Sequence, residues 1–147
     1  MSQRSGQAAA DREAAHRALA EKWFTRGWAG GDISIADEIF AAGFVLNGVT
    51  VGPAGPRRSV TAVHNAFSEI EVELDLLLVA GPYTVTHYTA TGKHTGNFHG
   101  IAPSGRKIRA SGIVIWLIRD GKVARDWNCF DNARVISQLT DPLTGIS

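Results

Sequence analysis

The last third of the chain holds polar side chains that could carry acid and base chemistry. Asp126 and Asn128 lie two residues apart in the segment KVARDWNCF, whose alternation predicts a β-strand, so both side chains share one face. A carboxyl group can exchange protons, and an amide can donate a hydrogen bond to an oxygen that gains negative charge. We therefore predict that Asn128 is catalytic and that Asp126 contacts substrate. A satisfied core amide and a solvated carboxylate are the alternatives.

Histidines are the second set of candidates, because imidazole is the side chain whose ordinary pKa suits proton transfer near neutral pH. His87 lies in the predicted strand YTVTHYTATGKH, on the face that it shares with Tyr83. We expect this face to point inward, which makes His87 a candidate base. His94 and His99 lie in the segment HTGNFHG, and we expect them to contact substrate at the rim of a cavity.

Asp131 follows the last predicted strand and precedes the segment NARVISQL, which is a predicted helix. A carboxylate at this position can cap the helix by accepting hydrogen bonds from free backbone N–H groups. Capping is the simpler interpretation, and Asp131 is the third catalytic candidate beside it.

Aromatic side chains are candidates for the flat apolar walls of a cavity that binds fused rings. Hydrophobic core is the alternative for most of them. We expect Trp23, Phe40 and Trp116 to contact substrate. Further candidate walls are Phe24, Phe67 and Trp127.

Three helices and four long strands must position these groups. Apolar residues at nearly helical spacing predict a first helix that ends at Gly30. Asp32 is expected to cap a second helix, and Pro56 to lie at the start of a third. From Glu69 onward the apolar period changes to two, and turn signals separate four strands. Helices followed by antiparallel strands predict an α+β fold, in which the helices cover one face of a curved sheet and enclose a cone.

Composition narrows the function classes. The net charge is only +1, with 15 Lys+Arg against 14 Asp+Glu, which disfavours binding to nucleic acid.

Residues 1–12 have no apolar face and predict a disordered leader before one domain over residues 13–147. We expect no membrane span and no metal site, because apolar runs are short and zinc-ligand spacing is missing. The single Cys129 predicts a buried, inert thiol and a cytoplasmic protein.

The predicted strand KIRASGIVIWLI is apolar on both faces. One face holds Val114 and Trp116, and the other holds Ile113 and Ile115. A strand of this kind must be covered twice, once by the interior of the domain and once by something else. We therefore expect a homodimer that covers the outer face of the sheet.

The stretch from His94 to Leu139 resembles the SnoaL-like polyketide cyclase family, a branch of the NTF2-like α+β barrels. The matching pieces are H-T-G-x-F-x-G-I-x-P-S-G-R, D-G-K-V, the pair Trp127 and Asp131, and Q-L, all in one order. The resemblance implies a cone of three N-terminal helices on a curved antiparallel sheet, with an apolar cavity for a polycyclic aromatic small molecule.

Two catalytic patterns of this fold are missing at the positions that the resemblance implies. Cyclases of the family close a ring by aldol chemistry with a His and an Asp, and those positions hold Val114 and Asn128 here. The limonene-epoxide-hydrolase type uses Asp, Arg and Asp, and those positions hold Thr89, His87 and Asn128. Neither set keeps its charges, which disfavours both mechanisms.

A hydroxylase-like branch of the family, found in anthracycline biosynthesis, departs from the cyclase pair, and this sequence looks like that branch. We therefore predict a polyketide hydroxylase in which Val114 contacts substrate. O₂ would be the co-substrate and a separate reductase would supply electrons, because no flavin or nicotinamide motif is present. An aldol cyclase and a non-catalytic ligand-binding module are the alternatives.

Overall fold

The computed structural model describes residues 2–141, and the helices of this part of the chain pack on one curved sheet. The α-helices are α1 (Ser2–Lys22), α2 (Ala36–Ile39), α3 (Ala54–Ala66) and α4 (Asn132–Thr140). The strands are β1 (Phe40–Leu46), β2 (Val49–Thr50), β3 (Phe67–Ala80), β4 (Tyr83–His94), β5 (Lys107–Arg119) and β6 (Lys122–Phe130). A π-helical segment, Trp23–Ala29, continues α1, and a 3-10 turn, Ile33–Ile35, precedes α2.

The six strands lie in the order β2-β1-β6-β5-β4-β3, so the sheet curves without closing on itself. Neighbouring strands pair antiparallel, apart from the parallel pair β1 and β6. The predicted α+β fold with four long consecutive strands is confirmed. Asp32 caps the 3-10 turn by accepting a hydrogen bond from the backbone N–H of Ser34, as expected.

Helix α1 begins at Ser2, so the predicted disordered leader is wrong for residues 2–12. This stretch is rich in Ala, Gln and Arg, which favour helices intrinsically, and residues 3–12 are all exposed, so propensity rather than burial explains the early start. His16 is the first buried residue, and its Nδ1 lies 3.0 Å from the carbonyl oxygen of Gly81. Met1 and the end of the predicted domain, 142–147, lie outside the described residues.

The π-helical turn places an aromatic cluster against the inner face of the sheet. Gly27 is required there, because a Cβ atom at this position would overlap the indole ring of Trp23. The Trp23 ring meets the Phe40 ring edge-on at 4.8 Å, and Phe40 lies 5.8 Å from Trp116. Phe24 stacks on Trp116 at 6.1 Å. The main core therefore lies between this turn and strands β1 and β5.

Strand β4 presents the opposite face to the core from the one that we predicted. The register pairs Tyr88 with Gly112 and His87 with Ile113. Thr86 and Tyr88 are buried on the inner face, whereas His87 points to the outer face. The prediction that His87 faces inward is wrong because threonines occur on both faces of this strand, which leaves its hydrophobic alternation weak.

Trp127 and Cys129 also lie on the outer face, as partners of Ile115 and Ile113. The Trp127 side chain is 41% exposed, with the guanidinium of Arg125 at 5.7 Å from the ring centroid. Cys129 is exposed as well. The predictions of Trp127 as a cavity wall and of Cys129 as a buried thiol are therefore wrong.

Gly112 makes room for the Tyr88 ring, which gives a test of the register. A Cβ atom at Gly112 would lie 2.6 Å from the Tyr88 hydroxyl oxygen. We expect Gly112→Ala to lower the free energy of unfolding by about 1–3 kcal/mol through overpacking. Gly43→Ala is the matched control, because nothing lies within 4 Å of its added Cβ, and it should leave urea unfolding nearly unchanged. Equal effects of the two substitutions would contradict the register.

Candidate active site

A cavity of about 240 Å³ lies between helices α3 and α4 and the inner face of the sheet. Its walls are almost entirely apolar, which suits a hydrophobic ligand. The polar side chains that reach it are few, and Asn128 is one of them. Other lining residues include Trp28, Val63, Phe67, Val72, Tyr88, Phe98, Ile108, Phe130 and Val135.

A second, smaller cavity of about 30 Å³ lies beside the aromatic cluster. It shares Trp28, Ser59 and Asn128 with the larger cavity, so Asn128 stands at the boundary between the two. Several predicted substrate contacts line this smaller space: Trp23, Phe40, Val114, Trp116 and Asp126.

Asp126 is the carboxyl group of this small cavity, and it is only 8% exposed. The indole N–H of Trp116 donates a hydrogen bond of 3.0 Å to Asp126 Oδ2. The other oxygen, Oδ1, is buried and has no hydrogen-bond partner among residues 2–141. Burial raises the pKa of Asp126 to about 7, and the bond from Trp116 opposes this only in part. Asp126 can therefore both accept and donate a proton near neutral pH.

Asn128 faces the cavity one inward position further along β6. Its side-chain Oδ1 is buried without a hydrogen-bond partner in the described part of the chain. Its backbone is clamped by Asn47, which accepts a 2.9 Å bond from the Asn128 N–H and donates a 3.2 Å bond to the Asn128 carbonyl. Asn47 was not predicted as part of the site. Its Asn-Gly dipeptide signals a tight turn, but nothing in the sequence indicates that its side chain reaches β6.

Tyr88 is a second residue that sequence reasoning missed, because it lies on the face of β4 that we assigned to the exterior. Its ring lies parallel to that of Phe130 at 6.1 Å and contacts Phe24 at 5.2 Å. Burial raises the pKa of the Tyr88 hydroxyl, and the charge of Asp126 adds to the shift. The hydroxyl therefore stays neutral at physiological pH and is a hydrogen-bond donor rather than a base.

Val114 and Asn128 are direct cross-strand partners. They occupy the positions where the resemblance implies the His and Asp of an acid/base pair. Asp126 lies two residues before Asn128 on the same face, which is about 7 Å along a strand. The smaller cavity thus contains a carboxyl group, displaced by one inward position from the place where the resemblance implies it.

His94, the last residue of β4, and His99, in the loop that follows, line neither of these two cavities, contrary to the predicted substrate contacts. His94 is fully buried, and its Nδ1 accepts a 3.1 Å hydrogen bond from the backbone N–H of Ser104. His99 is exposed in a turn, with its ring against Phe98. His94 therefore holds the loop before β5 through its bond to Ser104, and His99 lies exposed in that loop.

Asp131 caps helix α4, because its Oδ1 accepts a 3.1 Å hydrogen bond from the backbone N–H of Arg134. The capping interpretation of Asp131 is confirmed.

Within residues 2–141, no three His, Cys, Asp or Glu side chains form a group that could hold a metal ion. No helix of the described chain is long and apolar enough to cross a membrane.

Two comparisons relate this chain to solved structures and to a cyclase. It is 30% identical to the nogalonic acid methyl ester cyclase of Streptomyces nogalater over 100 residues, which cover 65% of this chain and 72% of that protein. TsrD from Streptomyces laurentii has a TM-score of 0.79 at 27% identity, covering 86% of this chain and 96% of that one. AclR from Streptomyces galilaeus, a candidate hydroxylase, has a TM-score of 0.77 at 19% identity, covering 86% and 82%.

The match to a family model extends well beyond the segment from His94 to Leu139. The model for the SnoaL-like polyketide cyclase family matches residues 18–139, which include the π-helical turn, the whole sheet and all of α4 except Thr140. With this match over most of the chain, the protein belongs to the SnoaL-like polyketide cyclase family.

Proposed function

We propose that this protein is a polyketide cyclase that closes a ring by intramolecular aldol addition, with Asp126 as the general base. One observation carries the proposal: Asp126 is a buried carboxyl group with a free oxygen in a small cavity lined mainly by apolar side chains. A hydroxylase was our first expectation because the family's acid/base pair is missing. Asp126 weakens that argument, since a base is available at a neighbouring position.

The reaction requires one group that removes and returns a proton. Ionised Asp126 takes a proton from a carbon that is activated by adjacent carbonyl groups. The resulting enolate carbon attacks a ketone carbon of the same molecule, forming the new C–C bond. The carboxylic acid of Asp126 then protonates the alkoxide, so atoms and electrons balance and no oxidant is needed.

Neutral hydrogen-bond donors stabilise the enolate. The amide of Asn128 lies at the boundary of the two cavities and can turn its N–H₂ toward an enolate oxygen. Tyr88 lines the larger cavity with a hydroxyl that burial keeps protonated. Neither group adds a negative charge beside the anionic intermediate.

The substrate that suits these walls is a compact polycyclic aromatic polyketide. The larger cavity, about 240 Å³, is smaller than the roughly 300–1,000 Å³ of common small-molecule pockets. We therefore expect the substrate to occupy the larger cavity, with the ring that closes at the boundary with the smaller cavity that Asp126 lines, and with the rest extending toward the opening. Flat side chains such as Trp28 and Phe130 line that path.

A hydroxylase is the second candidate, favoured by the neutral pair Val114 and Asn128 at the cyclase positions. One atom of O₂ would enter the substrate and the other would leave as water, with two electrons supplied by a substrate that a separate reductase has first reduced. This reaction consumes O₂, whereas aldol closure does not. A non-catalytic module would bind the ligand unchanged.

Replacing the base tests the proposal directly. With nogalonic acid methyl ester as probe under argon, we expect Asp126→Asn to lower kcat by about 10²–10⁴-fold, the usual contribution of a general base. Wild-type kcat should rise with pH through about 7 and then level off, because the base must be ionised. Product analysis and pH–rate profiles measure both effects.

Asp75→Asn is the matched control for this experiment. Asp75 is an exposed carboxylate that accepts a hydrogen bond from Thr89 on the outer face, and its replacement should leave kcat unchanged. Full activity of Asp126→Asn would overturn Asp126 as base. Product that forms only with O₂ and a reductant would favour the hydroxylase, and unchanged ligand would favour the binding module.

The pH dependence of stability tests the ionisation of Asp126 independently of activity. Burial raises the pKa of Asp126 from 3.8 to about 7, so the folded state binds the proton more tightly than the unfolded state. Protonation of Asp126 therefore favours the folded state, and the free energy of unfolding falls as pH rises from about 4 to 7. We expect Asp126→Asn to be more stable than wild type at pH 8, by up to about 4 kcal/mol, and little different at pH 4. Urea unfolding at both values measures this, and an equal difference at both would contradict it.

Trp116 is a positioning residue whose loss should move the pH profile. Trp116→Phe removes the hydrogen bond to Asp126 Oδ2, so the pKa of Asp126 should rise further. We expect kcat to fall about fivefold below pH 7, in line with one lost hydrogen bond, and to recover at pH 9. The same loss at every pH would indicate a purely structural role.

A further inference from the structure

The smaller cavity beside Asp126 has room for water but not for a ring of the substrate. A buried water molecule needs roughly 10–15 Å³, whereas a cavity that binds benzene measures about 150 Å³. The smaller cavity has a volume of about 30 Å³, which is enough for about two water molecules. The substrate rings therefore stay in the larger cavity, and Asp126 has to act on them across the boundary between the two cavities.

Two acceptor oxygens of residues that line this cavity are buried without a hydrogen-bond partner in the described part of the chain. They are Asp126 Oδ1 and Asn128 Oδ1. Neighbouring donors are already used: the Trp116 indole bonds to the other oxygen of Asp126, and the Ser59 hydroxyl donates to a backbone carbonyl of α3 at 3.2 Å. A buried acceptor without a donor is unfavourable, so both oxygens call for a donor from outside the protein.

The positions of Asp126 and Asn128 suit one bridging water molecule. The two residues occupy successive inward positions on β6, about 7 Å apart along the strand. Two hydrogen bonds of about 2.8 Å placed end to end span up to about 5.6 Å, and rotation of the two side chains covers the remainder. Because both oxygens are acceptors, they cannot bond to each other, whereas one water molecule donates a hydrogen to each.

We propose that one water molecule in the smaller cavity bridges Asp126 Oδ1 and Asn128 Oδ1 and relays protons between Asp126 and the substrate. The relay rests on the proposed function, in which Asp126 is the base, whereas the water site itself does not. Asn128 lines both cavities, so a water molecule bonded to it lies between Asp126 and the larger cavity. Since both of its hydrogens are donated to the protein, its oxygen is free to accept a proton from the substrate.

The relay moves two protons in each direction and consumes nothing. In the first step the C–H bond of the activated carbon breaks, its proton passes to the water oxygen, and the electron pair stays on the substrate as the enolate. At the same time one O–H bond of the water breaks, and that proton passes to ionised Asp126. After the C–C bond has formed, Asp126 returns its proton to the water, which protonates the alkoxide. Water and carboxylate are both regenerated.

Val114 offers a way to displace the water without changing Asp126. It lines the smaller cavity but not the larger one, and it pairs with Asn128 across the strands. With nogalonic acid methyl ester under argon, we expect Val114→Ile to lower kcat by about 10²-fold and to leave KM nearly unchanged. Val123→Ile is the matched control, because it adds the same group at a buried position of β6 that lines neither cavity, and its kcat should equal that of wild type. Circular dichroism verifies that both variants fold.

High-resolution crystal structures test the site separately from the chemistry. The wild-type protein should show a water molecule within hydrogen-bond distance of both oxygens, and Val114→Ile should show none there. A wild-type structure without a water molecule in contact with both oxygens would overturn the site. Full activity of Val114→Ile with the water displaced would overturn the relay alone, because Asp126→Asn would still be inactive. Full activity of Asp126→Asn would instead overturn the proposed function and the relay together.

A proton inventory tests the relay in the unmodified protein and does not depend on any variant folding. Single-turnover rates are measured in mixtures of H₂O and D₂O, at a pH where Asp126 is ionised, with substrate equilibrated beforehand in each mixture. Direct transfer to Asp126 moves one proton, so the rate would fall in a straight line with the deuterium fraction. The relay moves two protons at once, and we expect a curve that bows below that line. A straight line, or a rate that deuterium does not change, would overturn the relay.

Discussion

The hydrogen bond from the Trp116 indole to Asp126 is the interaction around which this protein is organised. Taking a carboxyl group out of water is costly, and the fold satisfies only one of its oxygens. The aromatic rings of Phe24 and Phe40 pack against Trp116 and hold its N–H in place. The same rings exclude water from Asp126, so the packing that stabilises the core also raises the pKa of the carboxyl group.

The register of β4 against β5 decides which groups can reach the substrate. Gly112 leaves space for the Tyr88 ring, which lies on the inner face of β4. His87, one residue earlier, must then lie outside, because neighbouring side chains of a strand alternate. The two cavities therefore contain no imidazole among their described lining residues, and the smaller one contains the carboxyl group of Asp126, whose pKa burial raises.

Strand β5 contributes side chains both to the interior of the protein and to its exterior. Val114 and Trp116 face the cavity, while Ile113 and Ile115 face the exterior. The side chains of β5 that form the core and those that stay exposed therefore alternate along one segment.

The amino-acid sequence was enough to predict the α+β class, the four long strands, the caps at Asp32 and Asp131, and the two apolar faces of β5. These features follow from local chemistry: the period of hydrophobic residues, turn residues and capping carboxylates. The resemblance over His94 to Leu139 also identified the family. Only the folded structure shows which face of β4 points inward, because the threonines leave the hydrophobic alternation of this strand ambiguous. The hydrogen bonds from Asn47 to Asn128 and the raised pKa of Asp126 could not be predicted either. Both depend on residues that are distant in the chain and meet only after folding.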